Sequence, residues 1–248
     1  MSLKKSLLIF GVFILISIFS FTFMNSTTKN TKLFYLVREP KIKTANPPLL
    51  ILLHGVGGNE QNLFSFAPNL PENFVVVSAR GPLTFGPNSF AWFQVDFSTG
   101  KPQINEQQAE NARQIIIDFI KDLKTEINFD DQQVYLMGFS QGGIMSYSVA
   151  LTAPEKVKGI AVMSGRLLPE IKPLVAEEKS LQKLKVFISH GKQDQVLNYQ
   201  YAIDALEYLK TKKLNPEFHS YEEGHTVNQQ MFQDVNNWLT KQFTETKL

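Results

Sequence analysis

Val134-Tyr135-Leu136-Met137-Gly138-Phe139-Ser140-Gln141-Gly142-Gly143-Ile144 is the stretch on which the reading of this chain turns. An apolar, strand-like run leads into Gly-x-Ser-x-Gly, and a helix-like run over residues 144–151 leads out of it. Strand, Gly-x-Ser-x-Gly, helix is the context a nucleophile elbow requires. The chain must reverse so sharply there that the serine sits in a strained backbone conformation. Side chains two places before and two places after it would collide, so glycine fits at both. The hydroxyl then stands above the strand end, beside the free N–H groups that open the helix. Chance can supply the pentapeptide alone, so its partners must come from the rest of the chain.

Outward from the elbow, short apolar runs alternate with helical periodicity. Residues 33–38 (LFYLVR), 74–78, 157–164, 186–189 and 217–221 read as strands, and 49–53 (LLILL) reads as a strand buried on both faces. Residues 106–126 form the clearest helix, with Ala109, Ala112, Ile116, Phe119, Ile120, Leu123 and Ile127 on one apolar face. Shorter helices are expected over 60–70, over the run from Tyr199 to Leu209, and from Val227 through Trp238 to Leu239. The expected fold class is therefore α/β, a mostly parallel sheet with helices on both faces. Residues 79–105, rich in Gly and Pro, read as one long irregular segment. Trp92 and Phe93 within it either wall a substrate pocket or pin the loop as an aromatic anchor.

In such sheets ligands bind beyond the carboxyl ends of the strands. His54, Ser140, Arg166, Asp194 and His225 all follow expected strand ends. Ser140, Asp194 and His225 occur in the chain order of α/β-hydrolase triads. A serine hydroxyl needs a neutral imidazole to take its proton as it attacks, and a carboxylate on the other ring nitrogen fixes the tautomer. His190 is the alternative base; His54 and His219 read as packing residues. Acyl transfer also needs oxyanion donors, and these are assigned to the backbone N–H groups of Val56, in the Gly-rich loop after residues 49–53, and of Gln141. Arg166 and Leu167, with Trp92 and Phe93, are the candidate pocket residues.

The 248 residues are 43% hydrophobic and 19% charged, with a net charge of +2 and no cysteine. The scattered Lys and Arg make no case for nucleic acid. The absence of cysteine excludes disulfides, a thiol nucleophile and Cys-based metal sites. No histidine pair has metal-ligand spacing and no phosphate-binding Gly-rich Lys loop occurs, so neither metal nor cofactor is expected. Lys4 and Lys5 precede an uncharged run over residues 7–24. Residues 1–25 therefore read as a signal peptide or a membrane anchor that exports the domain to the periplasm or the exterior, followed by a linker over 26–32.

LLHGVGGNE (52–60), AWF (91–93), GFSQGG (138–143), SGRLLPE (164–170), HGKQDQV (190–196) and GHTV (224–227) together resemble the phospholipase/carboxylesterase family of α/β-hydrolases. The likeness runs from about residue 33 to the C-terminus. It implies an α/β-hydrolase catalytic domain over 33–248 without a large cap domain, and Ser140 as nucleophile, Asp194 as orienting acid and His225 as base. Val56 stands where Leu is common, and Gln94 where an acidic residue often follows Trp-Phe. The expected activity is hydrolysis of a small-molecule or lipid ester, thioester or lysophospholipid through an acyl-enzyme on Ser140. A peptidase or acyltransferase using the same triad, and a membrane-tethered, non-catalytic binding protein, are the alternatives. Oligomeric state has no signal in the sequence.

Overall fold

The strands at the centre of the molecule are apolar at every position, and the two-residue period of a strand sends alternate side chains to opposite faces. The structure, a computed structural model, describes residues 25–26, 33–96, 98 and 102–245. Its main sheet contains β1 (Asn25–Ser26), β2 (Tyr35–Arg38), β3 (Leu49–Leu53), β4 (Val75–Ala79), β9 (Val134–Phe139), β10 (Gly159–Met163), β11 (Lys185–Gly191) and β12 (Glu217–Tyr221), in the order β1-β2-β4-β3-β9-β10-β11-β12. β2 runs antiparallel to both β1 and β4; every other pair is parallel. Leu49, Ile51, Leu53, Leu136, Ile160 and Val162 pack on one face, under α2 (Glu106–Leu123), α3 (Gln141–Thr152) and α5 (Gln200–Thr211). Leu50, Leu52, Tyr135, Met137, Ala161 and Phe187 pack on the other, under α1 (Glu60–Phe64) and α6 (Gln229–Glu245). Each fully buried Leu or Ile contributes roughly 1.5–3 kcal/mol, so this alternation fixes the register of the central strands.

α2 carries the apolar face expected of it, and Asn105 caps its N-terminus by accepting from the Gln108 amide at 3.0 Å. α3 is buried from Gln141 to Leu151, wedged between the sheet and α2. A short α4 (Glu178–Leu181) precedes β11. The arrangement is the expected α/β-hydrolase-like one, with a mostly parallel sheet and helices on both faces.

Three local expectations are corrected. Residues 79–105 are not irregular throughout: β5 (Leu83–Gly86) pairs with β6 (Ser89–Ala91), and β7 (Val95–Asp96) with β8 (Gln103–Ile104). The first hairpin is tied to the loop after β3, where Gly57 and Phe90 donate to Phe90 O and Gly58 O at 2.8 Å each. The helix expected over 60–70 ends at Phe64, and Pro68 falls in a separate single 3₁₀ turn. β11 extends through His190 to Gly191, so His190 belongs to a strand rather than a loop. Asn25 and Ser26, expected at the junction of leader and linker, pair with Leu36 and Tyr35. The leader at 1–24 and the remainder of the linker lie outside the described residues.

Candidate active site

Ser140 sits between β9 and α3 with φ 53° and ψ −116°, a conformation that costs a non-glycine residue about 1–3 kcal/mol. Its neighbours hold it there. The Ser140 amide donates to Met163 O at 2.9 Å, and the Ile144 amide donates to Ser140 O at 3.0 Å. The flanking glycines are sterically required. A Cβ on Gly142 would lie 1.9 Å from Leu53 O, and one on Gly138 would lie 2.2 Å from Gly142 O. Backbone meets backbone at both places, so no rotamer change could relieve the clash.

His225 enters from the loop after β12. Its Nε2 lies 2.9 Å from Ser140 Oγ and its Nδ1 lies 2.7 Å from Asp194 Oδ2. An ionised carboxylate only accepts, so Nδ1 carries the proton and the Ser140 hydroxyl donates to the free Nε2. Phe139 supports the ring, with centroids 4.9 Å apart. The loops carrying acid and imidazole are joined directly, since the Lys192 and Gln193 amides donate to Tyr221 O and Glu223 O at 2.8 and 2.9 Å.

Asp194 is buried, and the Val196 and Leu197 amides each donate to its Oδ1 at 2.8 Å. His190 supplies a further donor. Its Nε2–H points at Leu197 O at 2.7 Å and at Asp194 Oδ2 at 3.2 Å. Burial alone would push the Asp194 carboxyl up; the bonds from His190, His225 and the Leu197 amide outweigh it and hold the group well below the usual carboxylate range. His225, and not His190, is the imidazole in contact with Ser140. The sequence carried a signal for His190 in its position four residues before Asp194, which loop packing alone did not use.

The loop after β3 passes close to Ser140. A Cβ on Gly55 would lie 3.3 Å from that of Ser140. The amides of Val56 and Gln141 have no protein acceptor among the described residues, and both residues line the cleft with Ser140. His54 is buried under this loop, with Nδ1 2.7 Å from Gly55 O and Nε2 accepting from the Gly81 amide at 2.9 Å. Burial pushes its pKa down. His219 packs on β12, stacked on Phe187.

The Gln141 side chain performs a task that its motif did not announce. Its Oε1 accepts from the Trp92 amide and its Nε2 donates to Phe93 O, both at 2.7 Å. The first residue of α3 thus clamps the segment opposite. Of the four candidate pocket residues, Phe93 and Arg166 line the cleft over Ser140, with Val56, Val95, Ile104, Ile144 and Leu197 among their neighbours. Trp92 is corrected: it is fully buried and its indole N–H donates to His54 O at 2.9 Å, so it anchors the segment from beneath. Leu167, partly buried, packs against the main core and is not among the residues lining that cleft. Among the described residues no three His, Asp or Glu side chains group as metal ligands.

The Phospholipase/Carboxylesterase family model matches residues 35–243. The chain is 31% identical over 168 residues to the bifunctional acetylxylan esterase/xylanase XynS20E of Neocallimastix patriciarum, covering 66% of this chain but only 22% of that longer protein. It is 26% identical over 185 residues to acyl-protein thioesterase 1 of Kluyveromyces lactis, covering 72% of this chain and 76% of the relative. The Bacillus cereus carboxylesterase structure superposes with a TM-score of 0.74 at 21% identity, over 86% of this chain and 95% of that one, a likeness of fold. With the family model spanning every strand from β2 to β12, the chain belongs to the Phospholipase/Carboxylesterase family and is a hydrolase of the α/β-hydrolase fold.

Proposed function

We propose that this protein is a serine carboxylesterase in which Ser140 is the nucleophile, His225 the general base and acid, and Asp194 the orienting carboxylate. The observation that carries this reading is the continuous chain from Ser140 Oγ to His225 (2.9 Å) to Asp194 (2.7 Å) at a strained elbow. Ser140 Oγ bonds to the ester carbonyl carbon as its proton passes to His225 Nε2. The carbonyl oxygen becomes an oxyanion held by the Val56 and Gln141 amides. Collapse breaks the ester C–O bond, and the imidazolium gives its proton to the departing alcohol. Water, deprotonated by His225, then attacks the acyl-enzyme, releasing the carboxylic acid and restoring Ser140. The name of the K. lactis relative brings thioesters within the same reading, since a thiol can leave from the same intermediate. A lysophospholipid would likewise give up its acyl chain to Ser140.

The run over residues 7–24, behind Lys4 and Lys5, supports export of this domain to the periplasm or exterior, by a cleaved signal or tethered to the membrane. The mass of the N-terminus recovered from cells separates the two.

Ser140→Ala in the full-length protein should lower kcat on an activated aryl ester by about 10⁴-fold or more and abolish fluorophosphonate labelling. Turnover at the wild-type rate by this variant would falsify the assignment.

A further inference from the structure

Arg166 follows β10 by three residues and faces the same cleft as Ser140. It is 9% exposed, and its Nε is buried without a hydrogen-bond partner. One terminal nitrogen, Nη2, reaches Pro102 O at 3.4 Å, at the long end of a hydrogen bond, and the Tyr201 ring lies 5.4 Å from Cζ. No carboxylate pairs with it among the described residues. Another buried arginine has all its nitrogens engaged. Arg113 is forked onto Glu110 at 2.6 and 2.8 Å and also donates to Thr152. Arg38 has unpaired nitrogens too, but it donates to Pro71 O at 3.0 Å and lies within the field of Glu72.

Among the described residues, the cleft around Arg166 is otherwise apolar apart from Ser140 and Gln141, and no acidic side chain lines it. A guanidinium carries a permanent charge and only donates hydrogen bonds. Nε is shut away from the cleft, so the donor within reach of a ligand is the accessible Nη1, and an ester with a plain alkyl chain would cover it without offering an acceptor. An oxyanion on the substrate would pair with it in a site poor in competing water, where charge-assisted bonds are strong.

We propose that Arg166 selects esters bearing a carboxylate on a short tether from the scissile carbonyl. The proposal rests on the reading of Ser140 as the nucleophile. It makes the cleft one for dicarboxylic hemiesters or for esters of hydroxy or phenolic acids, rather than for simple fatty acyl chains.

Two substrate pairs locate the anion. Phenyl hemiglutarate is compared with its neutral counterpart, in which isopropyl replaces the carboxylate, for the acyl side. For the alcohol side, meta-acetoxybenzoate is compared with meta-tolyl acetate. In the full-length protein, kcat/KM in at least one pair should favour the anion by about tenfold or more. Arg166→Leu should bring that ratio near one, and Arg166→Lys should keep part of it. Ratios near one for both pairs in the wild-type protein overturn the proposal without reference to any variant. A preference that survives Arg166→Leu overturns it as well. Fluorophosphonate labelling of Ser140 on the same preparations separates the two readings. A protein that labels and hydrolyses neutral esters but ignores the carboxylate refutes the role of Arg166 alone. One that neither labels nor turns over any of the four esters refutes the esterase reading with it.

Discussion

Arg80 and Arg166 stand near opposite walls of the elbow and are held in opposite ways. Arg80 is forked onto Glu60 at 2.6 and 2.7 Å and lies between the rings of Phe34 and Phe90, 4.2 and 4.4 Å from their centroids. Around it, Ser78 Oγ donates to Glu60 O at 2.6 Å, and Asn59 and Asn62 close a capping box at the start of α1. The Glu60 carboxylate, the Ser78 hydroxyl and the Asn59 and Asn62 side chains are all partnered within the protein, and this is the wall that carries Val56. Arg166 lacks such a cage. Fixed oxyanion donors require a wall whose polar groups satisfy one another, because preorganisation is what makes them effective. Recognition of a substrate requires the reverse, a polar group left for the ligand to complete.

The sharpest way to break the closed wall is at its clamp. Gln141→Leu strands the Trp92 N–H and Phe93 C=O in a buried place, at roughly 1–3 kcal/mol for each group. Stability to urea should fall by about 3 kcal/mol, with kcat reduced as the segment loosens. An unchanged denaturation midpoint would show that the clamp holds nothing. Arg80→Met is next, at about 2 kcal/mol, below the range for a fully buried pair because the Arg80 side chain is 29% exposed. Here kcat should suffer more than KM, since the loop carrying Val56 is displaced; a change confined to KM would count against that coupling.

His190 tests the acid that both walls share. The Asp194 carboxyl is held below the ordinary carboxylate pKa of about 3.9. Its stabilising contribution is therefore complete above about pH 4 and drains away as pH falls further, because the unfolded chain takes up the proton first. His190→Phe removes one donor, brings the folded-state value back toward the ordinary one, and should flatten the stability–pH curve below about pH 4. The cost at neutral pH should be about 1 kcal/mol, and His190→Gln should recover part of both effects. Acid-unfolding curves that overlay for the His190→Phe variant and the wild-type protein sink this account. The smallest effect belongs to the open wall. Arg166→Leu, having little to lose, should leave stability within about 1 kcal/mol of wild type and on the favourable side. A marked loss would mean that Arg166 is as caged as Arg80.

What could be read before folding was what is local in sequence. The β3, β9 and β10 runs announce buried strands because nothing else makes a continuous apolar run useful at that length. Ser140, Asp194 and His225 declared themselves by following strand ends, so one topology gathers them. Features settled by distant pairings were silent. Glu60 and Arg80 meet across two strands, and Gln141 meets Trp92 and Phe93 almost fifty residues away. The β5–β8 hairpins are too short for periodicity to show, and β5–β6 is pinned by Gly58 on another loop. Trp92 was legible as an anchor or a wall but not as which, since an aromatic side chain suits both.

The bonds on either side of Ser140 have a further consequence. Its amide is tied to Met163 at the end of β10, and its carbonyl is tied into the first turn of α3, beneath which Leu53 leaves no room even for a methyl group. Fluctuations that open loops elsewhere cannot free this segment; only separation of the central strands can. The Ser140 amide should therefore exchange its hydrogen with solvent on the timescale of global unfolding. Heat inactivation should accordingly follow the melting of the sheet itself, which activity and far-UV circular dichroism recorded through one thermal ramp would check.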